Sequence, residues 1–186
     1  MILLIAGVAL WWVAHLFKRL APDVRAKLGD PGKGVMAVLI IGSVVLMVLG
    51  YRAADSTVYW GRSPALVGIN NLMMLVAFYI YATGGPGPGK PRVWLGTKLR
   101  HPQLTGFSIW ALAHVLVNGD TASFVLFGGL LVWALVEVAL INTQDPDWTP
   151  PPHGGAKKEV IYVVLTLVIV TIVMLIHNWL GVAPWG

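Results

Sequence analysis

No cysteine occurs among the 186 residues. Disulfides, c-type haem attachment, cysteine-ligated iron–sulfur clusters and thiolate chemistry are therefore excluded. Any metal or cofactor must be held by His, Met, carboxylate or backbone. Charge is also scarce: 11% of residues are charged, against about 25% in a soluble domain. With 57% hydrophobic residues, there is too little polar surface to coat a water-soluble body, and the composition predicts a polytopic membrane protein. The basic residues, 13 against 8 acidic, fall in short loops between apolar runs. They form no continuous patch, so nucleic acid is not a predicted partner, and orientation in the bilayer accounts for them. The first segment lacks a basic stretch ahead of its apolar run and a small-residue cleavage site, and it ends in Lys18-Arg19. It is expected to be a retained span rather than a signal peptide.

A helix crossing the hydrocarbon needs about 20 mostly apolar residues. Six runs qualify or come close: Met1–Phe17, Val35–Tyr51, Pro64–Ala82, Pro102–Val117, Ala122–Ile141 and Val160–Leu180. The predicted class is all-α, a polytopic helical bundle of about six transmembrane helices in contact with membrane lipid. The fourth run is the shortest, and the Asn118-Gly119-Asp120-Thr121 turn after it predicts a tight helical hairpin. Lys18, Arg19, Arg25, Lys27, Lys33, Lys90, Arg92, Lys98, Arg100, Lys157 and Lys158 fall on one side of this topology, and only Arg52 and Arg62 on the other. The bias predicts both termini outside, which is the periplasm for a bacterial inner-membrane protein. Two irregular stretches interrupt the pattern. Gly84–Gly89 breaks any helix, and Asp145–Gly155, with four prolines and His153, is expected to be a surface excursion.

Ionisable residues inside spans are costly and mark functional positions. His15, His101, His114 and His177 lie in or at the ends of spans. The plainer account of each is a neutral imidazole bonded to a carbonyl on a neighbouring helix. Local context separates them. Trp11-Trp12-Val13-Ala14-His15 and Trp110-Ala111-Leu112-Ala113-His114 share the form Trp-x-x-Ala-His, which puts a Trp one turn before each His on the same face. Two such imidazoles on antiparallel helices suit a planar ligand clamped from both sides, and haem b is the candidate because neutral imidazole suits iron. His15 lies near the inner end of its span and His114 toward the outer half, an axial offset of about 10 Å or more. His114 with His177 is the competing pair, and His101 then joins His15 near the inner face. Arg100-His101-Pro102 places His101 at a helix N-cap, where it and Arg100 can meet a propionate, a phospholipid or an anionic cofactor. Asn118 continues the His114 stripe, Asn70 and Asn71 enter from the outer side, and Glu137 is expected to pair with a cation at the inner surface or to orient a histidine.

Several of these features occur together in one family. They are the His15 span, Arg100-His101-Pro102-x-x-x-Gly106, Trp110-x-Leu112-Ala113-His114-x-Leu116-x-Asn118-Gly119, the Phe127-Gly128 run and a closing His177-x-Trp179-Leu180-x-Val182-x-Pro184. Over nearly its full length the chain resembles the NnrU family of membrane proteins. The resemblance implies a single transmembrane domain over residues 1–186 and a link to bacterial denitrification and nitrogen-oxide metabolism, with nitric oxide or a respiratory complex as partner. The family is similar to zeta-carotene isomerase, a haem b enzyme that isomerises a cis double bond. That similarity implies haem b, axial ligands at His15 and His114, and a lipophilic polyene or isoprenoid substrate. Arg100–Gly106 also resembles the Arg-His-Pro-x-Tyr-x-Gly motif that helps isoprenylcysteine-type methyltransferases hold S-adenosylmethionine. Here Leu104 replaces the tyrosine, and Glu137 stands alone where an acidic pair is expected. Three functions follow as expectations: a redox-dependent, isomerase-like haem protein or haem sensor; an S-adenosylmethionine-dependent methyltransferase; or a non-catalytic assembly factor for nitric oxide reductase.

Overall fold

The computed structural model describes residues 1–85, 87 and 89–185. Six helices of the described residues run the height of the bundle: α1 Ile2–Leu20, α3 Pro31–Arg52, α4 Pro64–Ala82, α5 Pro102–Val117, α6 Thr121–Gln144 and α7 Ala156–Trp179. A short helix, α2 Pro22–Lys27, links the first two. Five of the six are long and apolar enough to span a bilayer, and the 16-residue α5 is the shorter sixth. The all-α membrane bundle expected from composition is the observed architecture. The helices overrun the apolar runs at their ends: α1 continues through Lys18 and Arg19, and α3 begins at Pro31 rather than Val35.

Local chemistry sets the boundaries. Pro22, Pro31, Pro64 and Pro102 open α2, α3, α4 and α5, where proline's missing N–H costs nothing and its φ is already helical. Ser63 caps α4 by accepting from the Leu66 amide, and Asp120 caps α6 by accepting from the Ser123 amide at 3.0 Å. Burial pushes the Asp120 carboxyl up. Hydrogen bonds from the Ser123 and Ser56 hydroxyls and from the Ser123 and Ala122 amides outweigh it and hold the group below the ordinary carboxylate value. Inside α6, Phe124–Gly128 forms a π-helical turn.

Two helix hairpins form the body. In the first, Gly7 of α1 lies on the Ser43–Met47 backbone of α3, and Gly50 of α3 lies on the backbone of Leu4. In the second, Gly106 of α5 meets the backbone of Ala77 and Tyr81 on α4. Lipid tails are as apolar as leucine, so close backbone approach at small residues is what holds such pairs together. α6 joins the hairpins. Trp12 Nε1 donates to the Gly129 carbonyl at 3.0 Å, and Leu16, Trp133 and Ala134 form a buried cluster between α1 and α6. α7 packs on α4, buries only Thr166, and leaves many of its apolar side chains, Val160, Leu167 and Leu175 among them, exposed on the outside of the bundle.

Contacts between loops sort the two faces. On one, a two-stranded ribbon pairs β1 Val58–Trp60 with β2 Gly119–Asp120, and Arg62 reaches the Ala183 carbonyl near the C-terminus. The start of α1 lies there too, with the Leu4 backbone against Gly50 near the end of α3. On the other face Arg19 pairs with Asp145 at 2.6 Å. Both termini therefore share the cation-poor face. The Pro-rich stretch is tied down more firmly than a surface excursion implies. The Arg92 amide donates to the Pro152 carbonyl at 2.9 Å, the Gly154 amide donates to the Arg92 carbonyl at 2.7 Å, and His153 Nε2 bonds Glu159 Oε1 at 2.8 Å. The glycine-rich stretch is irregular as expected at Gly85, Gly87 and Gly89, which take positive φ, while Pro86 and Pro88 lie outside the described residues.

Candidate functional site

Three intramembrane histidines share one geometry. Nδ1 of His15, His114 and His177 lies 2.9, 2.9 and 2.8 Å from the carbonyls of Trp11, Trp110 and Val173, each four residues earlier on its own helix. A carbonyl only accepts, so Nδ1 must donate, and a neutral ring then carries its lone pair on Nε2. The helices thus satisfy one side of each imidazole and leave the other as a bare nitrogen donor. His101 differs: its Nε2 lies 2.8 Å from Asn142 Oδ1. Arg100 is engaged likewise, holding the Pro146 carbonyl at 3.0 Å and the Asp145 carbonyl beside it. The two polar side chains of this motif fasten the start of α5 to the end of α6.

The Trp-x-x-Ala-His pairs form as the spacing predicts, with ring centroids 4.0 Å apart for Trp11–His15 and 4.8 Å for Trp110–His114. They do not face each other across a common gap. Trp11 stacks on Phe107 at 6.2 Å and 10°, Phe107 meets Trp110 at 5.0 Å, and Trp133 stands edge-on to Trp11 and Phe107, 5.3 Å from each. His15 lies one turn inward of this layer and His114 two turns outward, an axial separation of about 16 Å. Four aromatic rings fill the interval, so the structure does not bring His15 and His114 together as axial ligands of one planar group. The register of α1 against α5 places them end to end.

His114 has other company. Phe127, on the π-helical turn, stacks on it at 4.6 Å and 30°, and His177, like His114, lies in the last turn of its helix. The closing motif explains how His177 is placed. Gly181 takes φ 86°, its amide donates to the Asn178 carbonyl at 3.1 Å, and the Val182 amide donates to the His177 carbonyl at 2.9 Å, which together make a Schellman cap. The chain then folds back over the outer half of α4, where Asn71 Nδ2 donates to the Pro184 carbonyl at 2.9 Å. Asn118 Nδ2 donates to the His114 carbonyl at 2.8 Å, closing α5. Ala77 lies against Gly106, so two turns outward Asn70 reaches the depth of His114. Its Oδ1 is buried without a hydrogen-bond partner. Among the described residues no group of three or more His, Cys, Asp or Glu is placed to hold a metal ion.

At the inner end Glu137 pairs with a cation, as expected. Arg19 Nε stands 4.0 Å from its Oε1, while its Oε2 and the Nε1 atoms of Trp11 and Trp133 are buried and unpartnered. Sequence reasoning missed Asn142, which holds His101, and Arg92, which lines an inner cleft. Neither belongs to a motif, and only the meeting of distant loops brings them in.

A family model described as "NnrU protein" matches residues 3–184. No curated protein and no solved structure matches the chain.

Proposed function

From the premise that this chain belongs to the NnrU family, we propose that it is a haem b-binding membrane protein whose ligands are His114 and His177. The observation that carries this is a pair of imidazoles in the last turns of α5 and α7, each with Nδ1 spent on a carbonyl and Nε2 free. The donor set fits the group. Two neutral imidazoles with free Nε2 atoms are donors that would hold the iron of haem. Phe127 and Trp110 give His114 apolar walls, and the orphaned Asn70 Oδ1 offers a polar partner at the same depth. When bound, haem would supply one-electron chemistry, with His114 and His177 as the residues that would hold it. The chain's own part is to orient both rings through backbone carbonyls and to keep water out with the aromatic layer beneath. This supports a redox-dependent, isomerase-like enzyme or haem sensor of nitrogen-oxide metabolism in the bacterial inner membrane, with a lipophilic polyene or isoprenoid, nitric oxide or a respiratory complex as its counterpart. The methyltransferase alternative gains nothing from Arg100 and His101, because both are already bonded to the end of α6.

The test is the optical spectrum of protein purified from haem-replete cells. A Soret band is expected that H114A and H177A weaken strongly and H15A leaves in place. A colourless wild type, or equal loss in H15A, overturns the assignment.

A further inference from the structure

The α4–α5 seam holds a feature that the histidines do not use. At the inner face, between the end of α4 and the start of α5, lies a cleft of about 190 Å³ lined by Arg92, Arg100, Gln103 and Leu104, with no carboxylate in its wall. Among the described residues neither arginine forms an ion pair. Arg92 Nε is buried without a hydrogen-bond partner. The first amides of α5 belong to Gln103 and Leu104, because Pro102 has no N–H and the His101 side chain does not cap the helix. These amides have no acceptor within the helix. The Arg92 guanidinium, free of any ion pair, beside free helix amides makes a cleft complementary to an anion with several oxygens, and Arg100, held by the Asp145 and Pro146 carbonyls, adds only its charge to the wall.

Directly outward along the same seam lies a second groove of about 200 Å³, lined by Phe78, Tyr81, Phe107 and Trp110 and almost wholly apolar. Gly84, Tyr81 and Phe78 succeed one another along α4, and Gln103, Phe107 and Trp110 along α5. The cationic cleft and the aromatic slot therefore stand end to end, and the slot stops one turn short of His114. A free anion leaves the slot empty, and a neutral hydrocarbon leaves the cations unmatched. An amphiphile with an anionic head satisfies both. We propose that this seam binds a phosphoryl-headed lipid, its phosphate against Arg92 and the α5 amides and one chain in the Phe78–Trp110 slot. The cationic end of the site lies away from the histidine pair, the slot meets the surroundings of His114 only at Trp110, and the site stands whether or not that pair holds haem.

Native mass spectrometry of the detergent-purified chain with added dioleoyl phosphatidic acid tests this. Wild type is expected to retain one lipid. R92Q should bind it about tenfold more weakly, as for loss of one charge-assisted contact. K98Q, which removes an exposed inner-face cation outside the cleft, should not change retention. Wild type alone tests the chain half: dihexanoyl phosphatidic acid and inorganic phosphate should compete poorly with the dioleoyl lipid. Equal retention by R92Q and wild type overturns the site, and equal loss in K98Q shows general attraction to a basic face. Phosphate competing as well as the long-chain lipid shows a free-anion site and overturns the lipid.

Discussion

Gly106 closes the Arg100-His101-Pro102-x-x-x-Gly106 motif and marks the closest approach of α5 to α4. A Cβ placed there stands 2.5 Å from the Ala77 carbonyl oxygen, 2.7 Å from the Tyr81 nitrogen and 2.9 Å from the Tyr81 Cβ. Ordinary contact begins near 3.4 Å, so the carbonyl is too close by about 0.9 Å. The first two obstacles are backbone atoms of a regular helix and cannot rotate aside. G106A must therefore push the two helices apart along their seam. Overpacking of this kind costs about 1–3 kcal/mol, against a gain in helix propensity of up to about 1 kcal/mol for Gly→Ala. With the full gain taken, the net expectation is a loss of up to about 2 kcal/mol, which is about 1–3 kcal/mol below a variant that gains propensity alone. Gly68 on α4 is the control, because nothing lies within 4 Å of its Cβ position and G68A changes propensity alone. Reversible unfolding in mixed micelles with a rising fraction of sodium dodecyl sulfate, followed by the fluorescence of the nine tryptophans, measures the difference. G106A should unfold at a lower detergent fraction and G68A at the same fraction as wild type or a higher one. If the two variants coincide, close backbone approach is not what holds α4 to α5, and the account of the motif's glycine is wrong.

Two further perturbations test the ends of the bundle. Asp120 is held below the ordinary carboxylate value by its hydrogen bonds, so its stabilising contribution is complete above the ordinary value and is lost as pH falls through the lowered one. D120A should cost about 1 kcal/mol, the usual loss for an N-cap, and should flatten the acid limb of stability measured by thermal unfolding. An unchanged acid limb refutes the cap. R19Q leaves Glu137 without its cation, so it should destabilise the wild type by about 1 kcal/mol or more beyond its effect in an E137Q background. Strict additivity in that double-mutant cycle would show the pair uncoupled.

Much of this fold was readable without coordinates because the bilayer imposes one rule on every span: backbone groups must be satisfied internally, so apolar runs become helices. Proline at the starts of α4 and α5, the polar turn ahead of α6 and the excess of cations on one face all act locally and leave local marks, whereas Pro22 and Pro31 open α2 and α3 outside the apolar runs. The local half of the candidate site was readable too. The Trp-x-x-Ala-His pairs form as their spacing requires, because residues four apart on a helix must meet. The other half was not. His15 and His114 carry the same motif, and only the depth at which α1 meets α5 separates them. That depth is set by where Trp11 seats on Phe107 and by which glycines let backbones touch.

The sequence by itself determined the solvent, the class, which loops carry the cations and the identity of the few polar residues inside the spans, because each follows from composition or from spacing along one helix. The tertiary structure alone decided which of those residues share a depth. It put His114 and His177 in the last turns of their helices, left His15 behind an aromatic layer, bonded Arg100 and His101 to the end of α6, and aligned the Arg92 cleft with the Phe78–Trp110 slot. The physical reason is that side-chain position along a helix is fixed by a 1.5 Å rise, whereas the sliding of one helix against another is fixed only by the packing of both.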